Sequence, residues 1–565
     1  MLFLQLNNAI RFLRYYTSID EIDGQDSRVE ILQAEILRLK REYNALAPLF
    51  RVPTEILCMI WIALQEMRAD FTPFWKAPPD PFRHADITIT HVCHRWRTWA
   101  LSYPKLWTFI PSTDPSHIET SLLRSEQLPI SARYYRLTPP EDGTPDRDTT
   151  LGFSIISQQL HRVSELRMYT EQNYYFQKIL RPDIQQNDTL PLLEHLEVVM
   201  TVSYDDRPLV AFSVAAWFLS RHLPRLKYLS VAETSFKWWS QIFPSSLTHL
   251  CLEVPVLQRG QPERCSWARV FECLGRLNFL ERLELKNVLP ISSEEEVLKV
   301  VRMTRLQHLG IHSPLPVALR FIGHIHLPSK IHINIEYDHY DSIADTVIYL
   351  KPFLRGTHTS NLELPVLSLA LDRRSSYVHF CASRDNDVFW MGDREEEELH
   401  SVFSMRFEEQ DTDLSERFAM DVCQALATAL TNIQALRIGI EETPNMTTAD
   451  VLQILQASEY LQCIGVRGDN IYSLIRTFEQ RVRNETDGSI QFLFPNLWAV
   501  TVLGCTLPKE DDERYLLFKV LSEEIRLRKA RGFGPFKLIF KHCEIDDGNR
   551  LLQDVLSSVI WIDFV

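Results

Sequence analysis

Glycine is scarce in this chain, 17 residues in 565, which leaves little backbone freedom for the loops that cradle phosphates. None of the patterns Gly-x-x-x-x-Gly-Lys-Ser/Thr, Gly-x-Gly-x-x-Gly, Gly-x-Ser-x-Gly or His-Glu-x-x-His occurs. Positive charge is also in deficit: 60 Lys and Arg stand against 74 Asp and Glu, a formal net charge of -14. Nucleic acid and anionic membrane surfaces need clustered cations, so the balance argues against both and for protein partners. Apolar runs of about eighteen residues, the length of a membrane span, are missing. The apolar start Met1 to Tyr16 is broken by Asn7, Asn8, Arg11 and Arg14 and lacks the order of a secretory signal. The ten cysteines include no Cys-x-x-Cys pair. Cys93, Cys251, Cys423 and Cys505 lie in apolar surroundings and read as reduced, buried thiols, which points to the cytoplasm or nucleus.

With 45% hydrophobic residues the chain can bury a large core. Its most patterned stretch near the front runs from Ala47 to Trp107. Pro53, Thr54 and Glu55 suit a helix start, and Ile56, Leu57 and Ile60 follow at helical spacing. Further on, His91-Val92-Cys93-His94-Arg95-Trp96 predicts an amphipathic helix with Val92 and Trp96 on one face, and Tyr103-Pro104-Lys105-Leu106-Trp107 stops it. In this order the pieces resemble the F-box in the version common in mushroom-type fungi. Val52 stands where that family usually has Leu, a loss of about 0.8 kcal/mol of burial. The proline-rich stretch Phe71 to Asp86 reads as an insertion, for which loop closure costs about 0.6 kcal/mol per doubling of length.

Ahead of this module, Val29, Leu32, Ile36, Leu39, Tyr43 and Leu46 alternate at spacings of three and four, a heptad seam. Two and a half heptads are short for a free coiled coil. The expectation is a single helix packed on the neighbouring domain, with homodimerisation as the alternative.

Beyond Trp107 a loose Leu-x-x-Leu-x-Leu signature recurs: Val163/Leu166/Met168, Leu193/Leu196/Val198, Leu226/Leu229/Val231, Leu247/Leu250/Leu252, Leu280/Leu283/Leu285 and Leu306/Leu309/Ile311. It returns at Leu364/Leu367/Leu369, Ile433/Leu436/Ile438, Leu461/Ile464/Val466 and Leu497/Val500/Val502, and in degenerate form at Leu538 and Phe540. Helical patterns lie between copies, at 213–223, 267–277, 294–303, 414–430, 449–456, 472–482 and 511–531. A single strand and helix cannot bury a core alone, so the units are expected to stack into a continuous parallel sheet. This pattern resembles irregular leucine-rich repeats. The asparagine that usually follows each strand in that family is replaced by Thr201, Thr234, Pro255, Val288, Pro314, Asp469 and Cys505, of which Cys505, like Cys543 in the last copy, is a familiar substitute. Residues 372–415 carry no copy; Tyr377 to Ala382, Val388 to Met391 and Val402 to Phe407 read as extra strands of an insertion.

His91, Cys93 and His94 have no partner pair at metal-ligand spacing, and His308/His312 and His324/His326 read as ordinary histidines. The acidic runs at 395–398 and 511–513 suit a solvated turn and a helix start. Arg526, Arg528, Lys529 and Arg531 read as cations offsetting a helix dipole, or as a weak nuclear signal. Asn187, Asn445 and Asn484 head sequons, but no secretory signal supports glycosylation.

The expected architecture is an α/β solenoid: an N-terminal segment 1–27, a heptad helix 28–46, an F-box-like three-helix domain 47–110 with an insertion about 68–88, and a repeat domain 111–565 with an irregular insertion about 372–415. The resemblance implies a non-catalytic substrate-recognition adaptor of a Skp-cullin-F-box ubiquitin ligase, without cofactor or metal. Its partners would be a Skp-family adaptor, through it a cullin, and a protein substrate. Matching the motif, the docking set would be Val52, Pro53, Ile56, Leu57, Ile60, Val92, Trp96, Leu106 and Trp107, some of which must instead form the module's own core. Strand positions alternating with buried ones give the expected substrate face: Tyr228, His249, Glu253, Arg282, Glu284, Lys286, His308, His312, Arg437 and Arg467. The alternative is a repeat scaffold whose F-box-like head does not direct degradation.

Overall fold

The computed structural model describes residues 26–47, 51–70, 85–110, 114–136, 147–170, 189–200, 214–232, 243–254, 266–291, 299–328, 331–337, 368–374, 377–383, 403–408, 434–440, 460–467, 470–479, 482–483, 490–491, 494–504, 514–532, 536–541 and 543. The chain divides into two compact units, Met1–Arg133 and Tyr134–Val565.

In the first unit the order is α1 (Asp26–Ala45), α2 (Thr54–Asp70), α3 (Ala85–Thr90), α4 (His94–Leu101), a 3₁₀ turn (Pro104–Trp107), β1 (Phe109–Ile110), α5 (Pro115–Arg124) and β2 (Ile130–Arg136), which runs across the boundary. Helix α1 is held by its own side chains: Arg38 donates to Glu35 at 2.7 and 2.9 Å and also bonds Glu42. Helix α2 starts where it does because Pro53 has no N–H to lose, while its carbonyl accepts from Ile56 and Leu57 at 3.1 and 3.2 Å.

Leu57, Cys58 and Trp61 lie on one face of α2 and bury against Ile89, Ala100, Leu106 and Trp107, with Val52, Trp96, Trp99 and Tyr103 packed at the margin. Each large side chain so buried contributes about 1.5–3 kcal/mol. Two polar groups on this face bond backbone carbonyls: the Trp107 indole N–H donates to the Ala100 carbonyl at 2.7 Å, and the Gln65 amide to the Leu106 carbonyl at 3.4 Å. Cys93 caps α4 by accepting the Trp96 N–H at 3.5 Å.

The structure refines the boundaries expected here. The helix read from His91 onward begins at His94, because Cys93 serves as its cap and His91 and Val92 form the turn before it. Helix α2 runs to Asp70 and α3 starts at Ala85; the residues between them, 71–84, lie outside the described residues. Along the seam of α1, Val29 and Ile36 are half-buried, whereas Leu32, Leu39, Tyr43 and Leu46 are between 50 and 76% exposed.

The second unit continues with α6 (Arg147–Ser157), β3 (Val163–Thr170), β4 (His195–Met200), α7 (Val214–Leu219), β5 (Tyr228–Ala232), β6 (His249–Glu253), α8 (Trp267–Leu274), β7 (Arg282–Lys286), β8 (Val301–Arg302), β9 (His308–His312), α9 (Leu315–Gly323), β10 (Ile325–His326) and β11 (His332–Tyr337). Then come β12 (Ser368–Arg374), β13 (Tyr377–Ser383), β14 (Phe403–Glu408), β15 (Ala435–Ile440), β16 (Cys463–Arg467), α10 (Asn470–Glu479), β17 (Val482–Arg483), β18 (Ile490–Gln491), β19 (Ala499–Leu503), α11 (Arg514–Ala530) and β20 (Lys537–Lys541).

The result is a mixed α/β fold on a large open sheet. Strands β3, β4, β5, β6, β7, β9, β11 and β14 pair parallel in that order. The apolar period of two explains the register. Leu166, Leu196, Leu229, Leu250, Leu283, Leu309 and Ile333 align across the strands, and Met168, Val198, Val231, Leu252, Leu285, Ile311 and Ile335 align two residues further on, all buried. The first apolar residue of each copy closes the preceding turn. The N–H groups of Leu226, Leu247, Leu280, Leu306 and Leu497 donate to the carbonyl three residues back, at 3.2 to 3.4 Å.

Helices α8 and α9 pack side by side through Phe271 and Phe321, ring centroids 5.7 Å apart. On α11, Arg528 pairs with Glu524 at 2.8 Å and donates to the carbonyls of Phe494 and Leu497 at 2.8 and 3.1 Å, tying the helix to the turn that starts β19. Both side chains are almost fully buried, 2 and 3% exposed, so Arg528 is not the surface cation that the basic run suggested.

The continuous parallel sheet is corrected at its middle. The segment read as an insertion lies inside the sheet: β13 runs antiparallel between β14 and β12, after which β12, β15, β16, β19 and β20 are parallel again. Val301–Arg302, expected as the end of a helix, is a short strand paired with Ile325–His326, and Val482, expected on a helix, pairs in β17 with Gln491 of β18. The expected helices 414–430 and 449–456, the expected strand Val388 to Met391, and Leu364 and Leu367 lie outside the described residues. At the strand ends Asn287 takes φ 57°, a conformation that asparagine tolerates, and the Cys543 thiol donates to the Val502 carbonyl at 3.6 Å.

Candidate interaction surfaces

Helix α2 carries a second apolar face. While Leu57, Cys58 and Trp61 build the core, Ile56, Met59, Ile60 and Leu64 recur at helical spacing on the outside and are 45 to 61% exposed. Single exposed apolar residues are ordinary; four of them along two turns of one helix form a continuous exposed apolar strip.

This divides the expected docking set. Leu57, Leu106 and Trp107 belong to the core, and Val52 and Trp96 are half-buried at its margin, Trp96 lying 5.2 Å from Trp61 between ring centroids. Pro53, Ile56, Ile60 and Val92 are exposed, with Val92 in the turn before α4. Met59 and Leu64 were missed by sequence reasoning, although their spacing from Ile56 and Ile60 was the available signal.

In the second unit the face of the sheet opposite the buried leucines is polar and ordered in rungs. His195, Tyr228, His249, Arg282, His308 and His332 stand side by side across β4, β5, β6, β7, β9 and β11. Two residues on come Glu197, Ser230, Cys251, Glu284, Gly310 and Asn334, and two further Val199, Ala232, Glu253, Lys286, His312 and Glu336. The parallel register makes the rings stack: His195 and Tyr228 lie 3.9 Å apart at 5°, and Tyr228 and His249 5.9 Å apart.

The charges are paired within the face. Arg167 meets Glu165 at 2.6 Å and Glu197 at 3.6 Å, Arg282 meets Glu284 at 2.6 Å, and Lys286 meets Glu253 at 3.6 Å. His308 lies 3.8 Å from Glu284 and His312 3.4 Å from Glu336. Gly310 leaves the room that Glu284 uses: a Cβ there would stand 3.2 Å from the Glu284 side chain.

These pairs govern titration. Burial would raise the Glu284 carboxyl, but Arg282, His308 and Lys286 outweigh it and hold it below its ordinary range; Glu197 is likewise lowered against burial, by His195, Tyr169 and Arg167. Lys286 is raised, its desolvation offset by Glu253, Cys251, Glu284 and Glu336. His249 and His308 are lowered, chiefly by burial and with Arg282 adding. Burial, with Glu197 for Tyr228 and Glu284 for Cys251, pushes both the phenol and the thiol up to about 12. Both are therefore neutral at physiological pH, and Cys251 is no ready nucleophile.

The expected substrate residues Tyr228, His249, Glu253, Arg282, Glu284, Lys286, His308 and His312 lie together on this face. Arg437 and Arg467 lie beyond β13, Arg437 between Ala370 and Gly465 and Arg467 beside Leu503. Glu165, Arg167, His195, Glu197, Cys251, His332 and Glu336 share the face and were not anticipated. Cys251, expected in the core, is on the polar side, its thiol 3.5 Å from a Glu284 oxygen. Cys423 and Cys505 lie outside the described residues. Among the described residues no group of three or more His, Cys, Asp or Glu could hold a metal ion, and no helix is long and apolar enough to cross a membrane. No protein-family model matches the chain, and no curated protein matches it by sequence.

Proposed function

We propose that this chain is the substrate-recognition subunit of a Skp-cullin-F-box type ubiquitin ligase, acting in the cytoplasm or nucleus. The observation that carries the reading is the second apolar face of α2, Ile56, Met59, Ile60 and Leu64, exposed on a helix whose other face is fixed by the core. In this reading that face docks on a Skp-family adaptor and through it on a cullin. The leucine-rich-repeat-like second unit holds a protein substrate across its polar rungs.

The chain itself would perform no chemistry. It would raise the effective concentration of substrate lysines near a charged ubiquitin carrier supplied by other subunits. The rungs pair Arg167, Arg282 and Lys286 with a larger number of carboxylates, which suits a protein partner read by polar and ring contacts rather than a polyanion, which would need an unpaired cationic surface.

The test is binding of the full chain to a purified Skp-family adaptor. Ile56→Asp combined with Ile60→Asp puts two charges at the centre of the proposed contact without touching the core, and is expected to weaken binding at least about tenfold. Equal affinity of wild type and variant defeats the proposal.

A further inference from the structure

We propose that the chain self-associates through α1 as a parallel two-stranded coiled coil. This inference is independent of the ligase reading, because it rests on a different helix. The seam is graded as a dimer requires: Val29, Ile36 and Tyr43 occupy the first core position of successive heptads, and Leu32, Leu39 and Leu46 the second. β-branched Val29 and Ile36 at the first position with leucine at the second favour two strands in parallel, while Tyr43 departs from that pattern.

The structure adds that the leucines of this seam and Tyr43 stay at least half exposed, while Val29 and Ile36 are half-buried. At about 1.5 Å per residue, α1 is roughly 30 Å long and holds five core layers from Val29 to Tyr43, with Leu46 in the turn just past its end.

Charge selects the occupant and its direction. Glu35 flanks the seam on one side and Lys40 on the other, five residues apart, the spacing at which a flanking residue of one helix meets its counterpart in a parallel copy. Glu35 would thus face Lys40 of the partner subunit, and the two-fold axis would repeat the pair. In an antiparallel arrangement Glu35 would instead approach Glu42 of the partner subunit, a like-charge contact. Arg38 already braces Glu35 and Glu42 within the single helix, so the monomer presents the seam preformed.

Sedimentation of the full chain at about 1 and about 50 µM tests this, because mass action makes a short coiled coil concentration-dependent. The expected mass approaches twice 66.0 kDa at the higher concentration. Leu32→Asp with Leu39→Asp should give monomer at both concentrations, with an unchanged thermal midpoint at about 1 µM. Leu37→Asp, on the outer face of the same helix, should still dimerise. Glu35→Lys should weaken association at least about tenfold, and Lys40→Glu in the same chain should restore it.

A mass of 66.0 kDa at every concentration overturns the proposal. So does a seam variant no weaker than the Leu37→Asp control, or a charge swap that fails to rescue. Seam variants that lower the thermal midpoint while leaving the mass unchanged would place the seam against the chain's own fold, and also overturn it.

Discussion

Neighbouring residues on one helix can hold opposite roles, and α2 and α11 each show it. Leu57 is buried against Leu106 and Trp107, whereas Ile60, three residues on, is 45% exposed. Leu57→Ala should therefore lower unfolding free energy by about 2–5 kcal/mol through lost burial and a residual cavity, while Ile60→Ala should stay within about 0.5 kcal/mol of wild type. Urea titration followed by tryptophan fluorescence reads both; equal losses would mean that the two faces are not distinct. On α11 the pair Glu524 and Arg528 is buried, and desolvation lowers the arginine's pKa, with Glu524 opposing. Glu524→Leu alone leaves a charge without its counter-ion and should cost about 3–5 kcal/mol. Glu524→Leu with Arg528→Met should cost less than the sum of the single changes, measured as a double-mutant cycle by thermal unfolding. The sequence did hold the clue to this pair: Leu521, Glu524, Ile525 and Arg528 fall on one helical face, and all are buried. Composition hid it, because a run of Arg and Lys near a helix end has a ready electrostatic explanation on the surface.

At the scale of strands, alternation made the two faces of the sheet legible. Leu250 and Leu252 point one way, so Cys251 between them must point the other, although its residue type suggested a core thiol. What single strands could not reveal is which outward side chains meet, since that depends on register between strands far apart in sequence. Register is what sets Tyr228 over His195 and Arg282 beside His308. It also sets a pH dependence. His249 and His308 have folded pKa values below their ordinary 6.5, so the unfolded chain binds more protons in that range, and stability present above 6.5 is lost as pH falls through the folded values. Glu197 and Glu284 are lowered from 4.5, so their contribution is lost in a later stage, below that value. Urea midpoints should fall between pH 7.5 and 6.0 and again below about pH 4.5, and His249→Gln with His308→Gln should flatten the first step. A midpoint that rises on acidification to pH 6 would show that charge pairing, not burial, dominates these histidines.

For the molecule as a whole, the sequence conveyed the stacking of parallel strands but not their order. Segment 372–415 carries no leucine signature, so nothing local indicated that β13 would run backwards between β14 and β12, or that β14 rather than β12 would pair with β11. Reversal is a choice among edges, made where the parallel run offers β11 as the next free edge, and it leaves no period to read. The arrangement still gives every strand of the large sheet between its edges, β1 and β20, two neighbours, and stability then spreads by contact rather than through one shared centre. Leu283 aligns with Leu250 on β6 and Leu309 on β9. Leu283→Ala should lower the opening free energy of β7 amides by about 2–5 kcal/mol, with smaller losses in β6 and β9. Amides of β19 and β20, beyond the reversed strand, should keep their wild-type protection in hydrogen exchange. Uniform loss from β3 to β20 would instead mean that the sheet unfolds as one cooperative block, and that β13 transmits the disturbance it is expected to contain.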